Sequence, residues 1–245
     1  MASSYVVSDN IMKTKVIIII GANGTGKSHL SITLRLVFLH MGLDIVSNKV
    51  PISERLGVPH HLLGQVEQDV DYSSVDFCRD TIAIVETILK SNRVPIIVGG
   101  SNSYLEALLE DSDNNFKSSY ECCFIWMDVS FPVLDSYVSK RAKYNRGVRR
   151  AIGVPEMHEY FLSEAKLHKT SKDSLLATFI RKIKENTCTL TRTQDIHWFD
   201  ATSVLEKTGE EADRAWNEVV LQPCMELVTK FLTKEKKDGA QRGIV

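Results

Sequence analysis

The chain has no apolar run long enough to cross a bilayer, so no membrane association is expected. Its five cysteines show neither a paired framework nor a CxxC zinc spacing. An odd number of cysteines, with Cys122 and Cys123 adjacent, suits a reducing compartment. Nor is one sign of charge in excess: 30 Lys and Arg face 31 Asp and Glu, a net charge of −1. General attraction to nucleic acid is thereby excluded, and any basic surface must be local. The first fifteen residues carry no secretory apolar core and are short and weakly basic for a transit peptide. A cytoplasmic location is therefore expected, with plastid and mitochondrion left open.

What the chain does have is apolar residues at 43% and charged residues at 25%, enough over 245 residues for one sizeable core and a small second lobe. Val16–Ile20 is a continuous β-branched run suited to a strand buried on both faces. A helix is expected over 27–38, and an irregular stretch punctuated by Gly and Pro over 40–75. Asp76 reads as the cap of a helix running to Lys90, with Phe77, Thr81, Ile84, Val85 and Ile88 at helical spacing. "VPIIVGG" (94–100) and "CCFIWMDVS" (122–130) read as buried strands, followed by helices at 103–110 and from Pro132 to about Lys143. Such alternation predicts a parallel α/β sheet. From Pro155 onward the pattern is nearly all helical, with Pro223 dividing the last region into two helices and a charged tail from Lys234 expected to be disordered. The expected organisation is an N-terminal extension (1–15), an α/β core (16–135), a mostly helical second lobe (136–233) that completes the site, and the tail (234–245).

The most informative stretch is "GANGTGKS", placed between the first strand and the first helix. Gly21, Ala22, Asn23, Gly24, Thr25, Gly26, Lys27 and Ser28 fit a phosphate loop, in the strand–loop–helix context that gives the pattern its meaning. Glycines let main-chain N–H groups curl around an anion, and the helix N-terminus adds partial positive charge. Lys27 supplies a full cation, and the Ser28 hydroxyl is a candidate ligand for Mg²⁺. The fold class is therefore a P-loop NTPase-like parallel sheet flanked by helices. The loop alone does not identify the phosphate chain it holds. A kinase would need a strand-end carboxylate such as Asp128 for its metal, and Asp128 equally suits a turn cap. Lys140, Arg141, Lys143, Arg146, Arg149 and Arg150 crowd one segment without an acidic residue. That segment reads either as a solvated face or as a site for phosphate, diphosphate or RNA. His60 and His61 are adjacent and lack a third ligand nearby, so a structural role is expected. Trp126 and Trp198 are expected as core or edge aromatics.

The strings "GANGTGKS", "GLDIVSNKV", "LGVPHHLLG", "VPIIVGGSNSYLEALL", "CCFIWMDVSFPVL", "GVRRAIGVPE", "KIKENTC" and "GEEADRAW" follow one another in the order found in plant adenylate isopentenyltransferases. These enzymes are relatives of the tRNA dimethylallyltransferases, and the resemblance spans nearly the whole chain ahead of the tail. It implies alkylation of the N6 amine of an adenine nucleotide (ADP, ATP or AMP) by dimethylallyl diphosphate, with diphosphate leaving. By the same resemblance Lys27 and Ser28, with Mg²⁺, neutralise the leaving diphosphate. Arg149 assists them, Arg141 joins the diphosphate-binding group, and Gly99, Gly100, Ser101 and Tyr104 line the substrate pocket. A monomer is expected, with tRNA kept as an alternative acceptor and a catalytically dead nucleotide binder as an alternative function.

Departures from the family pattern carry their own expectation. The family places an Asp-Ser-x-Gln strand after the loop helix, whose Asp receives a proton or hydrogen bond from the attacking amine. Here "LRLVFLHMGLDIV" runs straight into the next family string, and Asp44 belongs to that later string. Helical pieces are also omitted between "SYVSKRAKYN" and "RGVRRAIG" and between "ENTCTLTRTQ" and "DIHWFDATSVL". The third loop position, usually Thr, is Asn23. A sheet short of one core strand and a slowed reaction are expected.

Overall fold

A computed structural model describes residues 14–22, 24–37, 41–46, 56–62, 73–99, 102–110, 115–130, 132–134, 136–137 and 196–234. The basic segment, the family string "GVRRAIGVPE" and the tail after Lys234 lie outside the described residues.

Strand β1 (Lys15–Gly21) is central, and its run of isoleucines has a simple cause: both its faces are covered. Ile17 and Ile19 pack with Leu30, Leu34, Val220, Cys224 and Val228 on one face. Val16, Ile18 and Ile20 pack with Cys78, Val85, Leu105, Leu108 and Phe124 on the other. Period-two alternation thus serves two cores at once, which is why no polar residue interrupts the strand. Helix α1 (Lys27–Val37) lies on the first face. Helices α2 (Ser74–Lys90) and α3 (Asn102–Glu110) lie on the second.

The sheet is parallel throughout and six-stranded, in the order β3-β2-β4-β1-β5-β6. Its remaining strands are β2 (Met41–Val46), β3 (His60–His61), β4 (Val94–Gly99), β5 (Glu121–Asp128) and β6 (Ile196–Asp200). Two of these correct the expectation of an irregular stretch over 40–75. The expected gap beside β4 is not seen, because Met41–Val46 pairs there at Asp44↔Ile96, Ile45↔Ile97 and Val46↔Val98. An unpaired edge inside a covered sheet leaves N–H and C=O groups without partners, and the first chain available after α1 satisfies them. The fit is imperfect, with a register irregularity between Met41 and Asp44.

β6 is a second correction, since the chain after Pro155 was expected to be helical. It pairs with β5 from Phe124↔Ile196 to Asp128↔Asp200. Three short helices flank these strands: α4 (Phe116–Ser119) precedes β5, while α5 (Thr202–Leu205) and α6 (Glu210–Trp216) come after β6. The chain then passes through a π-helical turn (Asn217–Leu221) into α7 (Gln222–Thr233). Two helices do occupy this last region as expected, and Pro223 sits in the first turn of the second, where its missing N–H is tolerated. Val220, Cys224, Val228 and Leu232 complete the first core. The stretch 196–233 is therefore part of the α/β body, not of a separate helical lobe. Lys15, buried at the start of β1, donates from Nζ to the carbonyls of Phe231 (2.6 Å), Leu232 (3.2 Å) and Lys234 (2.6 Å), closing the end of α7.

A third correction concerns α2. Its cap is Ser73, and Asp76 is the third helical residue of a capping box. The Asp76 amide donates to Ser73 Oγ, and the Ser73 amide to Asp76 Oδ2, each at 3.2 Å.

Candidate active site

β1 and β4 are parallel neighbours whose following helices, α1 and α3, pack on opposite faces of the sheet. In such sheets the crevice beyond the carboxyl ends of the two strands is where ligands bind. The glycine-rich loop leaves β1 there, and Gly99 ends β4 directly opposite Ile20.

Close approach dictates two of the glycines. Gly21 has φ +147°, and a Cβ built on it would stand 2.3 Å from the Met127 carbonyl oxygen of β5. No side chain fits against that backbone. Gly26 has φ +90°, and its Cβ would come 2.8 Å from Cζ3 of Trp216. Between them the loop is pinned by its own carbonyl at Ala22. Thr25 Oγ1 donates to it at 2.9 Å and Lys27 Nζ at 2.6 Å. Lys27 is buried, and burial lowers its pKa to about 7. An ammonium at the head of a helix, turned onto a single loop carbonyl, is poised to exchange that acceptor for an anion.

Ser28 follows Lys27 in the first turn of α1, and Asp128 ends β5 one position beyond Met127, which pairs with Gly21. Both are oxygen donors, the kind a hard divalent ion takes. Among the described residues no group of three His, Cys, Asp or Glu side chains could cage a metal. One or two such oxygens would suit an ion that keeps water and substrate phosphates as its other ligands, as Mg²⁺ does.

Of the other expected residues, Gly99 closes β4 and Tyr104 lies on α3, its ring stacked on Phe77 of α2 at 4.9 Å. Asn23, Gly100, Ser101, Arg141 and Arg149 lie outside the described residues. Asp44 is in register with Ile96, three positions before Gly99, or about 10 Å along the strand from the crevice. It does not take the place of the family's strand-end Asp.

A model of the IPP transferase family matches residues 39–124. The adenylate isopentenyltransferase 5 (chloroplastic) of Arabidopsis thaliana is 43% identical over 268 residues, covering 90% of this chain and 81% of the relative. The chain belongs to the adenylate isopentenyltransferase family. Among its other relatives are the mitochondrial adenylate isopentenyltransferase 7 of Arabidopsis, 38% identical over 89% of this chain and 80% of that one. The adenylate isopentenyltransferase of Humulus lupulus is 31% identical over 87% and 89%. An alignment of 268 residues that takes in only 90% of 245 must open by several tens of positions where the relative has residues this chain lacks. In fold, a eukaryotic dimethylallyltransferase acting on tRNA is similar at a TM-score of 0.59 and 20% identity, over 92% of this chain and 81% of that one. The tRNA isopentenylpyrophosphate transferase of Bacillus halodurans gives 0.56 and 19%, over 89% and 97%.

Trp216 also belongs to the site, although its place in the sequence does not mark it as a loop neighbour. Its indole packs against Gly26 and meets the His29 ring edge-to-face at 4.8 Å. Partial burial lowers the His29 pKa, with the Asp213 carboxylate pulling the other way. "GEEADRAW" was recognisable as a family string, but nothing in its spacing links residue 216 to residue 26. His60 and His61 sit on the edge strand β3, where His60 Nδ1 meets the Val58 carbonyl at 2.7 Å. Trp126 is buried and stacks on Trp198 at 4.3 Å, a core aromatic against an edge one.

Proposed function

We propose that this chain transfers a dimethylallyl group from dimethylallyl diphosphate to the N6 amine of an adenine nucleotide, more slowly than its relatives. The observation that carries this is the loop at the β1–β4 crevice with Lys27 buried and turned into it. As the allylic C–O bond breaks, negative charge builds on the departing diphosphate, and donors already aimed there lower the barrier. Loop amides and the Lys27 ammonium meet that charge, with Arg149 and Arg141 assigned the same task by family resemblance. Ser28 and Asp128 would hold Mg²⁺, which when bound neutralises phosphate oxygens. By family resemblance Gly99, Gly100, Ser101 and Tyr104 would line the pocket for the acceptor and the prenyl chain. Asp44 is level with Ile96 and not at the crevice, where the resemblance would place the family's Asp beside the attacking amine. General-base help contributes about 10²–10⁴-fold, so the deficit in turnover should be of that order.

Incubating the purified chain with Mg²⁺, ADP and dimethylallyl diphosphate tests the proposal, with N6-prenylated ADP as the expected slow product. Binding of both ligands with no product at all would support the second reading, a diphosphate and nucleotide binder, which the position of Asp44 favours. An anticodon stem offered beside ADP separates the tRNA reading, which rests on the acceptors of the similar solved structures. A fluorescent fusion decides between cytoplasm and the chloroplast or mitochondrion named for the relatives.

A further inference from the structure

Trp216 comes from the far end of the chain, yet its six-membered ring occupies the space beside Gly26. Cζ3 would be 2.8 Å and Cη2 3.1 Å from a Cβ at that glycine. Gly26 is the last loop residue before Lys27, and its carbonyl takes the first helical hydrogen bond of α1, from the Leu30 amide at 3.0 Å. On the same side of α1, His29 packs edge-to-face on the indole. The ring thus rests on the joint between loop and helix, where small displacements redirect the loop amides and the Lys27 stem together. Behind it, α6 runs through the π-helical turn into α7, whose Cys224, Val228 and Leu232 belong to the core under β1. The indole therefore has a rigid backing.

We propose that Trp216 is a positioning residue for the diphosphate grip: it holds the Gly26–Lys27 joint in the geometry that binds the anion, and makes that grip depend on the C-terminal helices. The inference rests on the phosphate-loop reading. It goes beyond that reading by assigning a residue outside the loop to the loop's function.

The contact is made by the six-membered ring, so phenylalanine should preserve it and leucine should not. Pyrophosphate with Mg²⁺, titrated calorimetrically into the full chain, is expected to bind W216F within about twofold of wild type and W216L about tenfold more weakly. ADP affinity and the thermal midpoint, read alongside, separate a grip on diphosphate from general destabilisation. In turnover the W216L defect should fall on the KM for dimethylallyl diphosphate more than on kcat. Lys27→Ala separates the two ideas. If K27A loses pyrophosphate and folded W216L keeps it, the Trp216 inference is wrong while the loop reading stands. If K27A binds as well as wild type, or wild type does not bind, both fall. Should W216L not fold, indole emission decides: pyrophosphate should change it in wild type and not in W216F, which retains only Trp126 and Trp198. Emission that responds equally in both overturns the proposal.

Discussion

In the folded chain Lys27 has a pKa of about 7 because burial disfavours its charge, against an ordinary 10.5. Between those values the unfolded chain holds the proton that the folded chain has shed. Stability from this residue therefore rises with pH from about 7 toward 10.5, and the penalty is complete below 7. Lys27→Met should flatten that slope. Urea unfolding at pH 6 and pH 9 is expected to show K27M favoured over wild type more at the lower pH. An arriving diphosphate restores the proton, so pyrophosphate affinity should fall as pH rises above about 7. Calorimetry in buffers of different ionisation heat should then register proton uptake on binding. At Gly21 the obstacle is steric, a Cβ 2.3 Å from a main-chain oxygen that cannot swing aside. Gly21→Ala is expected to cost roughly 2–4 kcal/mol of unfolding free energy, measured by urea titration. These glycines and the lysine were legible as a motif; the Met127 carbonyl that makes Gly21 obligatory was not, because it belongs to a strand a hundred residues on.

Among the elements, strands with two buried faces announce themselves in sequence, and helices with one apolar stripe nearly as well. β1, β4, β5, α1 and α2 were read close to their true bounds for that reason. β2, β3 and β6 were not: the two-residue β3 is too short for a period, and β2 and β6 carry Asp, His and Gly among their apolar residues. Their extended form comes from the unpaired edge that each meets, a tertiary cause. End effects show the same division. Asp76 was recognised as a capping residue, but Ser73, two residues into a polar run, holds the cap itself. Ser73→Ala should lower stability by about 1 kcal/mol, seen as an earlier urea midpoint. Lys15, which looks in sequence like a charge before a strand, is buried and closes α7 through three carbonyls. Lys15→Met keeps the stem but strips those carbonyls of their donor, and is expected to cost about 1–3 kcal/mol. Hydrogen exchange at the last turn of α7 should quicken with it.

For the molecule as a whole, the ancestry was legible while the pairing of Met41–Val46 with β4 was not. A parallel sheet can accept a substitute strand wherever pairing groups are bare, but it cannot thereby recover a functional side chain. Met41–Val46 restores hydrogen bonds along β4, and its one carboxylate, at Asp44, falls level with Ile96 rather than at the crevice. Pairing is satisfied every residue, whereas chemistry needs one residue at one height, so fold and rate separate. Grafting the Asp-Ser-x-Gln strand of an Arabidopsis relative between residues 38 and 41 tests that separation. The graft should displace Met41–Val46 from β4, because it carries the family's own register for that position. Turnover with ADP and dimethylallyl diphosphate should then rise by about 10²–10⁴-fold, the usual contribution of a positioned base. Donor affinity should stay near that of the parent chain, since the loop, Lys27 and Trp216 are untouched. If the grafted chain folds and binds the donor but turns over no faster, the lost carboxylate is not what limits the reaction.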